Sequence, residues 1–275
     1  MATVKLSILT NDTVTKRNFL AEHGLSLFIE TKGFKILFDT GQSDVFSKNA
    51  SNMGIKLAET NCIVLSHGHY DHCGGMEYFK YKMPNVYVHN NAFINHYTLN
   101  NNNTYKDIGI PWSQDFKNKI KHKIKHIQNK TSIADGIFVC GEIPSTEEFE
   151  GVPQGFYTED NNQKSYDIFK DEAVLVVDTE KGLCVFLGCS HTGVINCIKQ
   201  VKRLFPDKNI YMVAGGMHLL KASEMRILMT IQYIINEGIE KIIPLHCTGL
   251  SAICEMKKHF KDKCEILYVG NQIEI

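Results

Sequence analysis

Ser66-His67-Gly68-His69-Tyr70-Asp71-His72-Cys73-Gly74-Gly75 decides the fold of this chain, for it packs three histidines and one carboxylate into six residues. It follows directly on the apolar run Cys62-Ile63-Val64-Leu65, bounded by Asn61 and Ser66. A short apolar run with β-branched residues reads as a buried strand. The histidines and the carboxylate therefore occupy the loop at that strand's end. Imidazole nitrogens and carboxylate oxygens bind zinc and similar first-row ions. His67 and His69 lie two apart, so in extended backbone they point the same way and can grip one ion together. Asp71 and His72 are adjacent, and a turn between them would aim both at a second ion. Gly74 and Gly75 allow a tight turn and a close approach of backbone to the site. A polar turn that merely contains histidines is the plain alternative, and the density of the cluster at a strand end speaks against it.

Upstream, Lys5–Thr10, Leu25–Thr31 and Lys35–Thr40 read as strands, with a tight turn at Lys32-Gly33. Ser43 can cap a helix over Asp44–Met53 that Gly54 ends. Downstream, a short helix is expected over Met76–Lys82, closed off by Pro84, and then a strand over Asn85–Asn90. From Ala92 to Lys170 the pattern weakens. Asn100–Asn103 is an asparagine run, and Lys117–Lys130 holds six lysines and no acid. Ile120, Ile124 and Ile127 fit a helical face, but Ile120-x-His122-x-Ile124-x-His126 alternates, and a strand is the favoured reading there. Ile137–Cys140 reads as a strand, and Glu147, Glu148 and Glu150 as an acidic, solvated loop. The lysine block from Lys117 to Lys125 is a candidate attractor for a phosphate or carboxylate. Regularity returns with a hairpin of Ala173–Thr179 and Leu183–Cys189. Val194, Ile198, Val201 and Phe205 share one face of a helix over Gly193–Phe205. Strands at Ile210–Gly215, Lys241–His246 and Glu265–Gly270 then alternate with helices at Ala222–Asn236 and Leu250–Phe260.

The motif His67-x-His69-x-Asp71-His72 after a buried strand resembles the metal-binding signature of the metallo-β-lactamase superfamily. Further stretches resemble one branch of it, the 7,8-dihydropterin-6-methyl-4-(β-D-ribofuranosyl)aminobenzene-5′-phosphate synthases. They are Glu22-His23-Gly24-Leu25-Ser26, Phe38-Asp39-Thr40-Gly41-Gln42-Ser43, Gly188-Cys189-Ser190-His191-Thr192-Gly193, Gly215-Gly216-Met217-His218-Leu219 and His246-Cys247-Thr248-Gly249. The resemblance implies an α/β fold in four layers, αββα, with two β-sheets face to face and helices outside. It implies one domain over residues 1–275, with an irregular insertion at about 92–170 covering the active site. It also implies two divalent metal ions, zinc foremost, with iron or manganese also suited to such ligands.

Members of the superfamily usually add a third histidine for the first ion, an acidic bridge, and a final histidine for the second. His246, in Pro244-Leu245-His246, matches the final histidine, and His191 is the choice for the third ligand of the first ion. The chain departs from the pattern at the bridge, where many members read Gly-Asp and this one reads Gly188-Cys189. Either Cys189 stands in as a thiolate, or the bridge comes from elsewhere, or the second site is weak. The competing reading of Cys189 is a core thiol facing away from the site. Glu142 and His218 are further candidates for the site. Asp39 is expected to orient a ligand histidine without touching metal. Glu22 and His23 are expected at the site mouth.

Composition bounds the rest. The chain has 275 residues, 43% hydrophobic and 22% charged, as a globular protein with a sizeable core would. Formal net charge is zero, which gives no reason to expect nucleic acid or an anionic membrane as a partner. No apolar run is long enough to span a bilayer, and Met1-Ala2-Thr3-Val4-Lys5 reads as a strand start and not as a signal segment. Nine cysteines with no Cys-x-x-Cys pair favour a reducing cytoplasm over a disulfide framework. No Gly-x-Ser-x-Gly elbow or phosphate-binding Gly-x-x-x-x-Gly-Lys loop competes with the histidine cluster. The expected activity is metal-dependent hydrolysis of a phosphate ester or similar small anionic substrate. Two ions about 3.5–4 Å apart can share and activate a hydroxide, and Asp71 can hold a proton for the leaving group. The branch implies an alternative, condensation of a pterin diphosphate with an aryl carbon and release of pyrophosphate. A non-catalytic metal-bound sensor is the third reading.

Overall fold

The computed structural model describes residues 3–100, 102–160 and 163–275. Val4–Thr10 (β1), Ser26–Thr31 (β2) and Phe34–Phe38 (β3) pair antiparallel. Lys32 and Gly33 between the last two take φ of 50° and 75°, the left-handed pair that a two-residue hairpin turn needs. Helix α1 (Val45–Asn52) then leads to β4 (Cys62–Val64), parallel to β3. The chain next makes a single helical turn, α2 (Tyr70–Cys73), and a 3-10 turn at Gly74–Tyr78. These two turns replace the helix expected over Met76–Lys82. A Cβ at Gly75 would lie 2.1 Å from the Thr40 carbonyl oxygen, so the segment is pressed against the loop after β3 and its turns follow that contact. β5 (Asn85–Val88) lies parallel to β4.

The stretch expected to be irregular is in fact rich in strands. It carries β6 (Asn95–Leu99), β7 (Tyr105–Asp107), α3 (Gln114–Ile120), β8 (Ile124–His126), β9 (Thr131–Ala134), β10 (Ile137–Cys140), β11 (Phe156–Asp160) and β12 (Gln163–Tyr166). Four of these form a sheet of their own in the order β12-β11-β6-β7. The strand expected through Ile120 and His122 begins only at Ile124. Ser113 caps α3 by accepting from the Phe116 N–H, and Ile120 is buried in a cluster with Trp112, so helix wins there. Glu150 is a second correction. It is wholly buried and not a solvated loop acid, and its carboxylate accepts from the backbone N–H groups of Ile195 and Asn196. Asn101, within the asparagine run, lies outside the described residues.

The last part of the chain runs β13 (Val174–Thr179), β14 (Gly182–Leu187), α4 (Val194–Leu204), β15 (Ile210–Gly216), α5 (Glu224–Asn236), β16 (Lys241–Leu245), α6 (Leu250–Phe260) and β17 (Gln272–Glu274). No strand forms over Glu265–Gly270. Within it only Val269 makes an isolated bridge, to Val14, the chain turns at Gly270 (φ 80°), and the final strand instead covers the free edge of β1. One sheet has the order β17-β1-β2-β3-β4-β5-β8 and the other β16-β15-β14-β13-β10-β9.

Alternation along the strands divides the core into layers. Leu6, Ile29, Ile36 and Val64 from the first sheet meet Leu175, Val177, Phe186 and Met212 from the second. The intervening residues point outward. Phe28, Leu37 and Ile63 pack with Phe46 of α1, while Val176, Val185 and Leu187 pack with Ile198, Ile231 and Met256 of the last three helices. This is the four-layer αββα sandwich. Losing a side chain such as Phe186 from its centre would cost about 3–5 kcal/mol. No described helix is long and apolar enough to cross a membrane. β3, β4 and β5 run parallel, as do β14, β15 and β16, so each sheet delivers its loops at one edge. Ligand sites of α/β sheets lie beyond such strand ends.

Candidate metal centre

The loop after β4 is held by two buried acids. Asp39, just past β3 in a left-handed conformation (φ 55°), accepts from Ser66 N at 2.8 Å and Ser66 Oγ at 2.7 Å. Asp171, just before β13, accepts from Gly68 N at 2.7 Å. Asp39 Oδ2 also lies 2.7 Å from His72 Nδ1, which leaves His72 Nε2 to face the centre. This is the orienting contact expected of Asp39, and such outer partners fix the tautomer and direction of a ligand imidazole.

Six of the residues marked in the sequence converge as two trios. The rings of His67, His69 and His191 stand mutually 4.5, 4.8 and 5.0 Å apart, centroid to centroid. Asp71 Oδ2 lies 3.7 Å from His72 Nε2 and 3.4 Å from His246 Nε2. Cys189 stands between the trios. Its Sγ is 3.1 Å from His72 Nε2, and its donor atom groups with those of His67 and His191 on one side and of His72 and His246 on the other. The thiol therefore faces the centre and not away from it. Gly188 makes room for this, since a Cβ there would lie 2.1 Å from Ser66 Oγ.

The donor set fits a divalent cation. Nε2 of His67, His69, His191 and His246 is buried without a hydrogen-bond partner, which a cation would remedy. Burial drives the His67 and His191 imidazoles well below their ordinary range, helped by neighbouring histidines, and lowers His69 to about 3. Both effects favour the neutral imidazole, whose lone pair is free to donate.

Other marked residues lie around this centre. His218, at φ 47°, has its ring 4.4 Å from His191 and its backbone N–H 3.4 Å from Cys247 Sγ. His23 is half-exposed at the mouth, with Nε2 3.4 Å from Asp71 and Nδ1 3.3 Å from Asp12. Glu22 is not at the mouth; it accepts from Gln42 N and Ser43 N and braces the loop after β3. Glu142 is exposed after β10, outside both trios.

Several residues escaped the reading of the sequence. Asp12 holds His246 Nδ1 at 2.8 Å, and His23 and His246 keep its carboxyl well below the usual range despite burial. Glu172 accepts from the backbone N–H groups of His191 and Thr192. His96, in β6, is buried beside His69 with Nδ1 2.9 Å from Asp167. The available signal was an acid at a strand end: Asp12 just past β1, and Asp171-Glu172 just before β13.

The centre forms the floor of a cavity of about 560 Å³. Tyr70, Leu99, Ile108 and Phe156 line it, the last three from the stretch between β5 and β13, together with His218, Leu220, Lys221, Ala222 and Arg226. The lysine block does not reach it.

A four-layer αββα sandwich with this histidine cluster at its strand ends defines a metallo-β-lactamase-fold protein, and the chain belongs to the metallo-β-lactamase superfamily. The family's model matches residues 21–129. Within the superfamily the chain is similar to the 7,8-dihydropterin-6-methyl-4-(β-D-ribofuranosyl)aminobenzene-5′-phosphate synthase of Methanocaldococcus jannaschii, with 32% identity over 269 residues, 93% of this chain and 91% of that one. It is also similar to the crystal structure of Tm1679, described as a metal-dependent hydrolase of the β-lactamase superfamily, at 34% identity and TM-score 0.86 over 99% of both chains. YhfI from Bacillus subtilis, at 14% identity and TM-score 0.58 over 100% of both chains, shares the fold.

Proposed function

We propose that this chain is a metal-dependent transferase that condenses a pterin diphosphate with an aryl acceptor, as the relationship to the synthase suggests. The observation that carries this reading is that likeness, which extends over nearly the full length of both chains. The cavity supports it, being of a size for a small organic substrate and walled by Tyr70 and Phe156, which suit a flat ring.

In this reading His67, His69 and His191 hold one cation, Asp71, His72 and His246 hold the other, and Cys189 is shared. Bound there, two such cations would neutralise the charge building on a diphosphate leaving group. A thiolate and imidazoles suit zinc or iron better than manganese. Asp39 and Asp12 orient His72 and His246. His23 stands at the mouth beside Asp71, placed to exchange a proton with solvent at Nε2. The insertion limits water access and sets substrate choice. Eight buried free thiols and one exposed one accord with a reducing compartment, and we place the chain in the cytoplasm.

The second reading is a hydrolase of a phosphate ester, favoured by the description of Tm1679 and its closely similar backbone. One assay separates the two. Metal-loaded protein is given a pterin diphosphate with and without an aminobenzene acceptor, and pyrophosphate is measured. Release that requires the acceptor supports the transferase. Release without it, or turnover of a generic phosphodiester, overturns that reading in favour of the hydrolase. No turnover of either overturns both and leaves a metal-bound sensor.

A further inference from the structure

Arg226 sits in the first turn of α5, where its backbone N–H is taken by the Ser223 cap at 3.2 Å. Its side chain lines the cavity that holds the histidines, as does that of Lys221. Two guanidinium nitrogens, Nε and Nη2, are buried and have no hydrogen-bond partner among the described residues. The acid that acts on Arg226 is Glu150, but its two oxygens already accept from Ile195 N at 3.0 Å and Asn196 N at 2.9 Å. Of the described residues that line the cavity only Asp71 is an acid, and it belongs to the histidine cluster. His218 also lines the cavity, its ring 4.4 Å from His191 and its buried Nδ1 unpartnered. The cavity thus combines metal-type donors with two cationic residues, neither of which hydrogen-bonds a carboxylate among the described residues.

A buried guanidinium donor without an acceptor is costly, and native structures keep few of them. Its planar fork matches the paired oxygens of a phosphate, which accepts two parallel N–H bonds. Lys221, which lines the same cavity, adds a mobile point charge. The cost of holding Arg226 unpaired is recovered only when an anion enters.

We propose that Arg226 and Lys221 form a second anion subsite, which takes a phosphate group on the end of the substrate remote from the metal ions. This rests on the reading of the cavity as the active site. The bound reactants then carry two anionic groups between them, one at the histidine cluster and one at Arg226. Arg226 and Lys221 select for length and charge and take no part in bond breaking.

The test uses metal-loaded protein and calorimetric titration with alkylphosphonates and α,ω-alkane bisphosphonates of matched chain length. At one favoured length the bisphosphonate should bind at least about tenfold tighter than its one-headed counterpart, the effect of a charge-assisted bidentate contact. Arg226→Gln should abolish that advantage and leave binding of the one-headed compound unchanged, with metal content as the check on folding. Lys221→Gln should reduce the advantage, and Arg226→Lys should restore part of it. An advantage absent at every length, or one that survives Arg226→Gln, overturns the subsite. Failure of the parent reading shows differently: methylphosphonate binding would then be unaffected by the double change His67→Ala with His69→Ala.

Discussion

Replacing Cys189 by alanine removes the one side-chain atom that both trios share. Its Sγ lies 3.1 Å from His72 Nε2, and it groups within 4.8 Å with donors of His67 and His191 and with donors of His72 and His246. On the proposed assignment, the truncation would leave each cation three protein donors. Loss of an outer partner of a ligand typically costs about 10–100-fold in metal affinity, and loss of a direct donor should cost at least the upper end of that range. The dissociation constant is expected to rise on the order of 100-fold for the cation held by His72 and His246, since His72 is the nearest donor to the sulfur, and by less for the other. Folding should suffer little: a small buried side chain is shortened by one atom, about 1 kcal/mol. The assay is competition against a chromophoric chelator, with the near-ultraviolet thiolate band of the cobalt-substituted protein as a second readout. Cys189→Asp should retain both cations and shift preference towards harder ions such as manganese. Two equivalents retained at unchanged affinity in the alanine variant, with no thiolate band in the parent protein, would refute the reasoning.

Changing His67 and His69 together to alanine should remove at least one equivalent of metal while circular dichroism stays native, since both residues lie beyond β4 and not in it; undiminished metal would sink the assignment. Asp39→Asn keeps the shape but weakens the hold on His72 Nδ1, and should lower metal affinity about 10–100-fold at that position; unchanged affinity would leave Asp39 a purely structural role. Burial pushes the Glu150 carboxyl up to about 7 from 4.5, and Glu172 rises to about 7 for the same reason. Between those values the folded state keeps a proton that the unfolded chain has released. The stabilising contribution is therefore complete below the unfolded value and is lost as pH rises through 7, on the order of 3 kcal/mol for each group. Relative to the parent, Glu150→Gln should lack a loss of stability on the order of 3 kcal/mol between about pH 5 and pH 8, read as the difference between the two proteins in urea unfolding, and an unaltered difference across that range would show that the carboxyl is not held protonated.

The readable parts of this chain are those where a local pattern has one physical solution. The strand Cys62–Val64 and its cluster of histidines stand next to each other in sequence, so the strand-end geometry follows from the period of two. The helix at Val194–Leu204 shows its buried face at the spacing a helix requires. The sequence by itself therefore determined the alternation of strands and helices and the residues most suited to metal, while the layered architecture was legible only through the resemblance those motifs carry. Tertiary structure decided the rest. Ile120 fits a strand or a helix equally until Ser113 caps the turn before it and Trp112 covers it. Glu150 looks like any surface acid until two N–H groups of α4, more than forty residues on, take both its oxygens. Asp12 becomes a partner of His246 only because β1 and β16 end at the same edge, 234 positions apart in the chain. The same holds for Cys189. Its neighbours in sequence say only that it follows a buried strand, whereas the direction of its thiol is set by how two sheets pack and where Gly188 lets them approach. Local pattern reports the period of a segment; it carries no information about which distant group will meet it, because that is fixed by packing between elements.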